Sequence, residues 1–272
     1  MAQNGLFPVT YARHRDRYWK RLSSFHFVKG RSECPIVEKE VLPVAAAYPI
    51  LFRKIETGVE PVAVLSLIPD APTPFVAQDG RWLAGYIPSD LRCPPFQAGL
   101  SEQQADAEQG RLQLMVDETL GLVTDVPGDE PFFTADGKLT AELLRVRTFL
   151  QARAASAQQT QSMCSVLEEL KILEPMKSYE GVSLPAGYLG VAAGRSNALS
   201  QAEKLTLFEF GAIRMIHAHQ VSLSHLTWLS RAHEQSDRPE KSKHYTKNSD
   251  ISRFLSAMAH AQQEELLEVG EV

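Results

Sequence analysis

The strongest constraint on the fold of this chain is one long periodic segment in its second half. Apolar residues recur there close to the 3.6-residue period of an α-helix, at Leu143, Val146, Leu150, Ala154, Ala157, Cys164, Leu167 and Leu170. Thr140 is a suitable N-cap and Pro175 stops the pattern, so the sequence predicts a helix of about 30 residues. If this helix breaks, its Gln- and Ala-rich centre at 152–161 is the expected place.

The first half of the chain carries the short apolar runs and turn residues of antiparallel strands. Residues 49–68 contain two β-branched runs joined at Glu56-Thr57-Gly58, which is the pattern of a hairpin. A second hairpin is predicted directly after it, with its turn at Asp79-Gly80 and its return strand at 82–87. Further strands are predicted at 111–116 and 119–124.

Shorter elements follow the long helix. The segment 179–193 predicts a hairpin with its turn at Pro185-Ala186-Gly187. Ser200 and Glu203 have the spacing of a capping box, which predicts a helix to Phe210 that ends at Gly211. Residues 212–233 predict one or two helices, with the interruption at Ser222 or Ser224.

The end of the sequence differs in composition from what precedes it. Residues 234–249 are polar and read as a linker, and 250–268 then predict an amphipathic helix capped by Ser249 or Asp250. This tail helix either docks on its own domain or binds a partner. The patterns together predict an α+β fold with one domain at 1–233, in which a mainly antiparallel, β-rich region (1–135) packs against a mainly helical region (140–233), plus the appended helix.

Composition excludes several classes of protein. The 272 residues carry a formal net charge of -5 and are 44% hydrophobic, which is typical of a globular protein. No run approaches the roughly 18 apolar residues of a membrane span, and the start is basic without an apolar signal core. Three separated cysteines indicate free thiols. We therefore expect a cytoplasmic protein without a membrane span, and not a permease.

Charge is distributed in two opposite blocks. Residues 13–31 hold seven basic residues and one acid, interleaved with aromatic residues, whereas 99–142 hold ten acids and two bases. The blocks either attract each other or mark faces with different partners. The basic segment also has the composition of a single-strand nucleic-acid site, but the net charge is negative and no RNA-binding signature occurs, so we do not expect such binding.

Signatures of catalysis are weak. His217 and His219 lie two residues apart, which on a helix directs them about 200° away from each other, and no carboxylate lies within 212–230. Cys93 follows Arg92, which would favour its thiolate, but Pro94-Pro95 indicate a rigid loop instead. No nucleophile elbow and no phosphate-binding loop occurs. We therefore predict no metal, no cofactor and no assigned catalytic residue.

The best candidate for a binding site is the second predicted hairpin. Strand alternation would place Trp82 and Tyr86 on one face, and the following loop brings Arg92 and Phe96 close to it. Such an aromatic face beside an arginine suits an extended peptide or a carboxylate. A plain core strand is the alternative interpretation.

Four segments, in order, give the chain a family resemblance. The opening FPVTYARH with Tyr18-Trp19, the central DGRWLAGYIPSDLRCPPF, the LEELKILEP that closes the long helix, and LSQAEKLTLFEFGAIRMIHAHQVSLSHL resemble the SapC family of bacterial proteins. The resemblance covers about residues 7–230. It implies a role linked to surface-protein secretion, or to peptide and amino-acid modification alongside oxygenases and flavin halogenase-like enzymes. It implies no catalytic residues.

The sequence thus favours a non-catalytic accessory protein that binds a peptide or protein partner and is able to form homo-oligomers. The candidate binding residues are Trp82, Tyr86, Arg92 and Phe96. The alternative is an enzyme with a metal or co-substrate site near His217/His219.

Overall fold

A computed structural model describes residues 5–100 and 112–236 of the chain. Its strands are β1 (Leu6–Pro8), β2 (Tyr18–Trp19), β3 (Glu33–Pro35), β4 (Ile50–Ile55), β5 (Gly58–Val64), β6 (Phe96–Leu100), β7 (Leu112–Asp117), β8 (Val123–Thr124), β9 (Glu130–Pro131), β10 (Leu173–Pro175), β11 (Ser178–Tyr179), β12 (Val182–Ser183) and β13 (Tyr188–Val191). Its helices are α1 (Tyr11–His14), α2 (Val41–Ala45), α3 (Ala141–Glu169), α4 (Ala193–Ala198), α5 (Gln201–Glu209), α6 (Ala212–Ser222) and α7 (His225–Ser236).

The main sheet is antiparallel and has the strand order β10-β13-β4-β5-β3. Its centre is the predicted first hairpin, in which Ile55 pairs with Gly58 around the turn. Two smaller sheets, β1-β7-β6 and β8-β2-β9, and the β11–β12 hairpin complete the strands. The helices after residue 192 form the C-terminal part, so the predicted α+β class is confirmed.

The long helix α3 is continuous, without a break at 152–161. The Thr140 hydroxyl accepts a hydrogen bond from the Leu143 amide, which confirms the predicted N-cap. Its first half contributes Leu143 and Leu150 to a core cluster around Trp19 and Phe96. Its second half contributes Met163, Cys164, Val166 and Leu167 to the larger cluster under the main sheet. One helix therefore joins both cores.

The second predicted hairpin forms only around its turn, where backbone hydrogen bonds join Ala77 to Arg81 and Leu83 to Phe75, and its predicted return strand at 82–87 is wrong. The Asp79-Gly80 turn exists, but it is followed by one isolated bridge, Val76 to Trp82, and 82–87 do not form a strand. The indole nitrogen of Trp82 donates to the Tyr86 carbonyl at 2.9 Å. The chain after Trp82 therefore curves back toward the Trp82 side chain. The Tyr86 carbonyl accepts hydrogen bonds from side chains and not from a neighbouring strand.

Two other turns also differ from prediction. The hairpin after α3 turns at Glu180-Gly181, where both residues have positive φ, and not at 185–187; β13 joins the main sheet instead. In 119–124 only β8 is extended, since the Asp117 side chain accepts from the Thr119 amide and starts a 3₁₀ turn. Strand β6 was not predicted.

The predicted ends of α5 and α6 are confirmed, whereas α7 continues past the predicted end at 233 to Ser236. Ser200 and Glu203 form the capping box of α5, and Gly211, with φ of 71°, separates α5 from α6. The interruption between α6 and α7 falls at 223–224. The predicted linker at 234–249 is therefore wrong at 234–236, which belong to α7; the rest of it and the predicted tail helix at 250–268 lie outside the described residues. None of the helices within 5–100 and 112–236 is long and apolar enough to cross a membrane.

The two charge blocks attract each other. Arg13 pairs with Glu118, and Arg17 with Asp125. Arg21 bridges Glu130 and Glu142, and Lys20 lies 3.9 Å from Asp129. The aromatic part of the same segment is anchored by Trp19, which is buried where β2 lies between β8 and β9. The basic segment is therefore bound to the acidic block of its own chain.

Candidate binding site

The predicted site residues Trp82 and Tyr86 meet through hydrogen bonds that lead inward. Trp82 also donates from its indole nitrogen to the Tyr48 hydroxyl at 2.8 Å, and that hydroxyl in turn donates to the Tyr86 carbonyl. The Tyr86 hydroxyl donates to Oε2 of Glu40 at 2.9 Å. Burial and the Glu40 carboxylate raise the pKa of Tyr86 to about 12, so the hydroxyl keeps its proton and remains a donor.

Glu40 organises this region as a buried acceptor. Glu40 is only 3% exposed. Its carboxylate accepts hydrogen bonds from the Val37 amide, the Ser89 amide and the Ser89 hydroxyl, in addition to the one from Tyr86. Arg153 of α3 donates to the Ser89 hydroxyl and to Asp90, at 3.0 Å each. We call the residues Glu40, Tyr86, Ser89, Asp90 and Arg153 the Glu40 network. It fixes the loop before β6 to α3 and to the start of α2.

Arg92 and Phe96 have different surroundings. Arg92 is exposed; it donates to the Tyr86 hydroxyl at 3.2 Å, and its guanidinium lies 5.2 Å from the ring centre of Phe149. Phe96 is 2% exposed and meets the Trp19 ring edge-on at 5.0 Å, in the second core cluster. The structure thus brings Trp82, Tyr86 and Arg92 together and places Phe96 elsewhere.

The two histidines of α6 face opposite ways. His217 is exposed, whereas His219 is 1% exposed and contacts the main sheet. The Val191 amide donates to Nε2 of His219, so the proton lies on Nδ1, which donates to the Ile50 carbonyl at 2.7 Å. Both ring nitrogens are engaged, and burial lowers the pKa of His219. Within the described ranges, no three His, Cys, Asp or Glu side chains are placed to hold a metal ion.

Cys93 is held as a thiol. Burial raises its pKa to about 11, and its sulfur donates to the Ser89 carbonyl at 3.2 Å. The neighbouring Arg92 therefore does not produce the thiolate that a nucleophile requires.

An open groove of about 1050 Å³ lies on the helical side of the molecule. It is lined by residues of α2, α3, α5 and α6 and of their flanks: Glu38, Leu42, Ala45, Ala46, Gln159, Met163, Phe208, Glu209, Phe210, Gly211, Ile213, Arg214, His217, Ala218 and Val221. Phe208 and Val221 are each 71% exposed, and Leu42 and Phe210 are exposed as well. Such a cluster of exposed apolar side chains is unusual for a surface that stays in water.

The fold explains why this groove is open. On its sheet side, α6 buries Met215 and Ile216, and the Ser222 hydroxyl accepts from the Ile50 amide at 2.9 Å. Its other side faces the groove, where Arg214 forms an ion pair with Glu38 at the rim. Gly211, in the left-handed conformation that glycine adopts readily, separates α5 from α6 at the groove. One side of α6 therefore completes the core, and the other carries apolar side chains exposed to solvent.

Residues 9–229 match the sequence model of the SapC family. The chain belongs to the SapC family. No curated protein and no solved structure matches it.

The resemblance that the sequence showed is thereby confirmed, and the structure explains its central segment. In this SapC-family chain, Tyr86 and Ser89 of that segment bind Glu40, and Asp90 binds Arg153. The groove was not predicted from the sequence. Its signal lies in LTLFEF of α5, where Leu205, Leu207, Phe208 and Phe210 give the helix apolar residues on more than one side, while only Leu207 is buried.

Proposed function

We propose that this SapC-family chain is a non-catalytic accessory protein that binds an amphipathic helix of a peptide or protein partner in the groove. The observation that carries the proposal is the set of exposed apolar side chains along the groove, led by Phe208 and Val221. An amphipathic helix binds such a groove with apolar residues at spacings of i, i+3, i+4 and i+7.

The groove suits a helix better than an extended peptide. Its walls are helices, and an extended peptide would need a free strand edge or backbone donors to satisfy its own amides. A helix satisfies its backbone internally and presents only side chains. The charged rim, formed by the Glu38–Arg214 pair, Glu209 and His217, would then orient the partner through its polar side.

The predicted site residues have a supporting role in this proposal. Trp82 and Tyr86 donate to partners within the chain, and Tyr86 leads to Glu40, which immediately precedes α2. Because α2 supplies Leu42 and Ala45 to the groove, the Glu40 network holds one groove wall in place. Arg92 contacts Tyr86 of the same network, whereas Phe96 belongs to the second core cluster and has no part in the groove.

Two alternatives receive less support. A metal or co-substrate site near His217/His219 would need Nε2 of the buried His219 to give up the hydrogen bond that it accepts from the Val191 amide. A nucleic-acid site at 11–31 would compete with the ion pairs to the acidic block. We place the accessory role in the cytoplasm, where it would serve surface-protein secretion or peptide modification; the free state of Cys34, Cys93 and Cys164 supports this.

A matched pair of valines tests the proposal. The full chain is used to select binders from a displayed library of helical peptides with apolar residues fixed at i, i+3, i+4 and i+7. We expect Val221→Asp to lower the affinity for the selected peptides by more than about 10-fold, because the substitution places a charge among apolar contacts. Val126→Asp is the control, since Val126 is 54% exposed and lies outside the groove.

Three outcomes would contradict the proposal. One is an equal loss of peptide binding in both variants, which would indicate non-specific adhesion. Another is a library that gives no binder. The third is self-association that Val221→Asp abolishes, which would identify a second copy of the chain as the occupant of the groove.

A further inference from the structure

The sequence contains its own candidate for the groove. Within the predicted tail helix, Ile251, Phe254, Leu255 and Met258 have the spacing i, i+3, i+4 and i+7. This is the set of anchors with which an amphipathic helix binds an apolar groove. We infer that the segment 250–268 docks in the groove of its own chain and competes there with the external partner. The inference rests on the proposed function, because it assigns an internal occupant to the same groove.

The dimensions of the segment and the groove agree. The four anchors span two helical turns, which are about 12 Å long, and a helix about 10 Å across occupies roughly 900 Å³ over that length. The groove has a volume of about 1050 Å³. The groove therefore has room for the anchored part of the tail.

The connection is long enough. Helix α7 begins beside the groove, because Nε2 of His225 donates at 3.1 Å to the carbonyl of Ala45, a groove residue. The helix then runs for 12 residues, or about 18 Å, away from this point. The 13 residues at 237–249 separate its end from the tail segment. A coil of this length has an r.m.s. span of about 20 Å, which matches the distance back to the groove.

Matching span and linker length give the tail a kinetic and thermodynamic advantage. A tethered segment whose linker fits the span has an effective concentration in the millimolar range. A tail that binds only weakly on its own would therefore cover the groove in most molecules. An external helix would have to displace it, so the apparent affinity for the partner is lower than the intrinsic affinity.

Cross-linking in the full chain tests whether the tail reaches the groove. In a Cys93→Ser background, Val221→Cys is combined with Met258→Cys and the disulfide is formed with a mild oxidant; Cys34 and Cys164 are buried. We expect a cross-linked species of monomer mass that forms at least about 5-fold faster than in the control pair Val126→Cys with Met258→Cys. Adding Phe254→Asp and Leu255→Asp should abolish the difference. Equal rates in both pairs, or a product of dimer mass, would overturn the inference.

Peptide affinity separates this inference from the proposed function. If the tail competes, Phe254→Asp with Leu255→Asp should tighten library-peptide binding by about 10-fold. If the peptides bind the original chain and this double variant with equal affinity, the tail is not the occupant of the groove, and the proposal of an external partner is unaffected. A fast cross-link at 221, together with no peptide binding to either form, would support the internal occupant and remove the external one.

Discussion

The Glu40 network and the groove lie side by side on one short segment, yet they use their side chains in opposite ways. Glu40 directs its carboxylate to donors within the chain, whereas Leu42 and Ala45, on the next turn, face the groove. In the network, polar groups are buried and bonded. In the groove, apolar groups are exposed, and none of the residues at 5–100 and 112–236 covers them.

This difference between bonded polar groups and exposed apolar groups determines which of the two regions can gain free energy by binding a partner. Removing Trp82 or Tyr86 from their present partners would cost hydrogen bonds that folding has already made. Covering Phe208 and Val221 would instead remove apolar surface from water, at about 25 cal/mol per Å². The proposed function therefore places recognition at the groove and gives the Glu40 network the role of holding its wall.

The largest expected effect follows from breaking the network. Glu40→Ala leaves four donors without their acceptor in a buried site, and we expect the free energy of unfolding to fall by about 3–5 kcal/mol. Val221→Asp, in the groove, should change it by less than about 0.5 kcal/mol. Urea denaturation of both variants measures the contrast. A loss below about 1 kcal/mol for Glu40→Ala would show that the network does not hold the fold.

Sequence signals of local origin predicted the fold well. The N-cap at Thr140, the turn at Glu56-Thr57-Gly58 and the capping box at Ser200 each depend on residues close in sequence, and each is confirmed. The strand at 82–87 was wrong because the carbonyl of Tyr86 accepts from the side chain of Trp82 and from that of Tyr48, which is 38 residues away and therefore invisible to a local pattern.

The site was harder to predict than the fold. Tyr86 and Glu40 are 46 residues apart, and no sequence signal in either segment indicates their contact. For Phe96, an aromatic residue after a turn fits a surface and a core equally well, and the structure places it in the core. The groove depends on how α5 and α6 pack, since the same apolar residues would have been buried under another arrangement.

The two sides of α6 give a second test, through pH. Burial lowers the pKa of His219, so the unfolded chain binds a proton below pH 6.5 that the folded chain resists. This contribution to stability is complete above pH 6.5 and is lost as the pH falls, by up to about 1.4 kcal/mol per pH unit.

We expect His219→Gln to make the free energy of unfolding less dependent on pH below pH 6.5. Some dependence should remain, because burial also lowers the pKa of His14 and of His225. His217→Gln is the control on the groove side, where the ring is exposed. Denaturation at several pH values gives the slopes. An equal change in both variants would contradict the division of α6 into a buried and an open side.

The smallest expected effect decides between the two regions as binding sites. Tyr86→Phe removes one hydrogen bond to Glu40, and we expect a loss of about 1 kcal/mol in unfolding free energy with peptide affinity at the groove unchanged within about 2-fold. Tyr11→Phe, at an exposed tyrosine, is the control for stability. Stability is measured by denaturation and affinity by titration with the selected library peptides. The opposite result would be a Tyr86→Phe variant of unchanged stability whose affinity for these peptides is more than 10-fold lower. Recognition would then belong to the Trp82–Arg92 surface, because only a hydroxyl that contacts the partner affects binding without affecting folding.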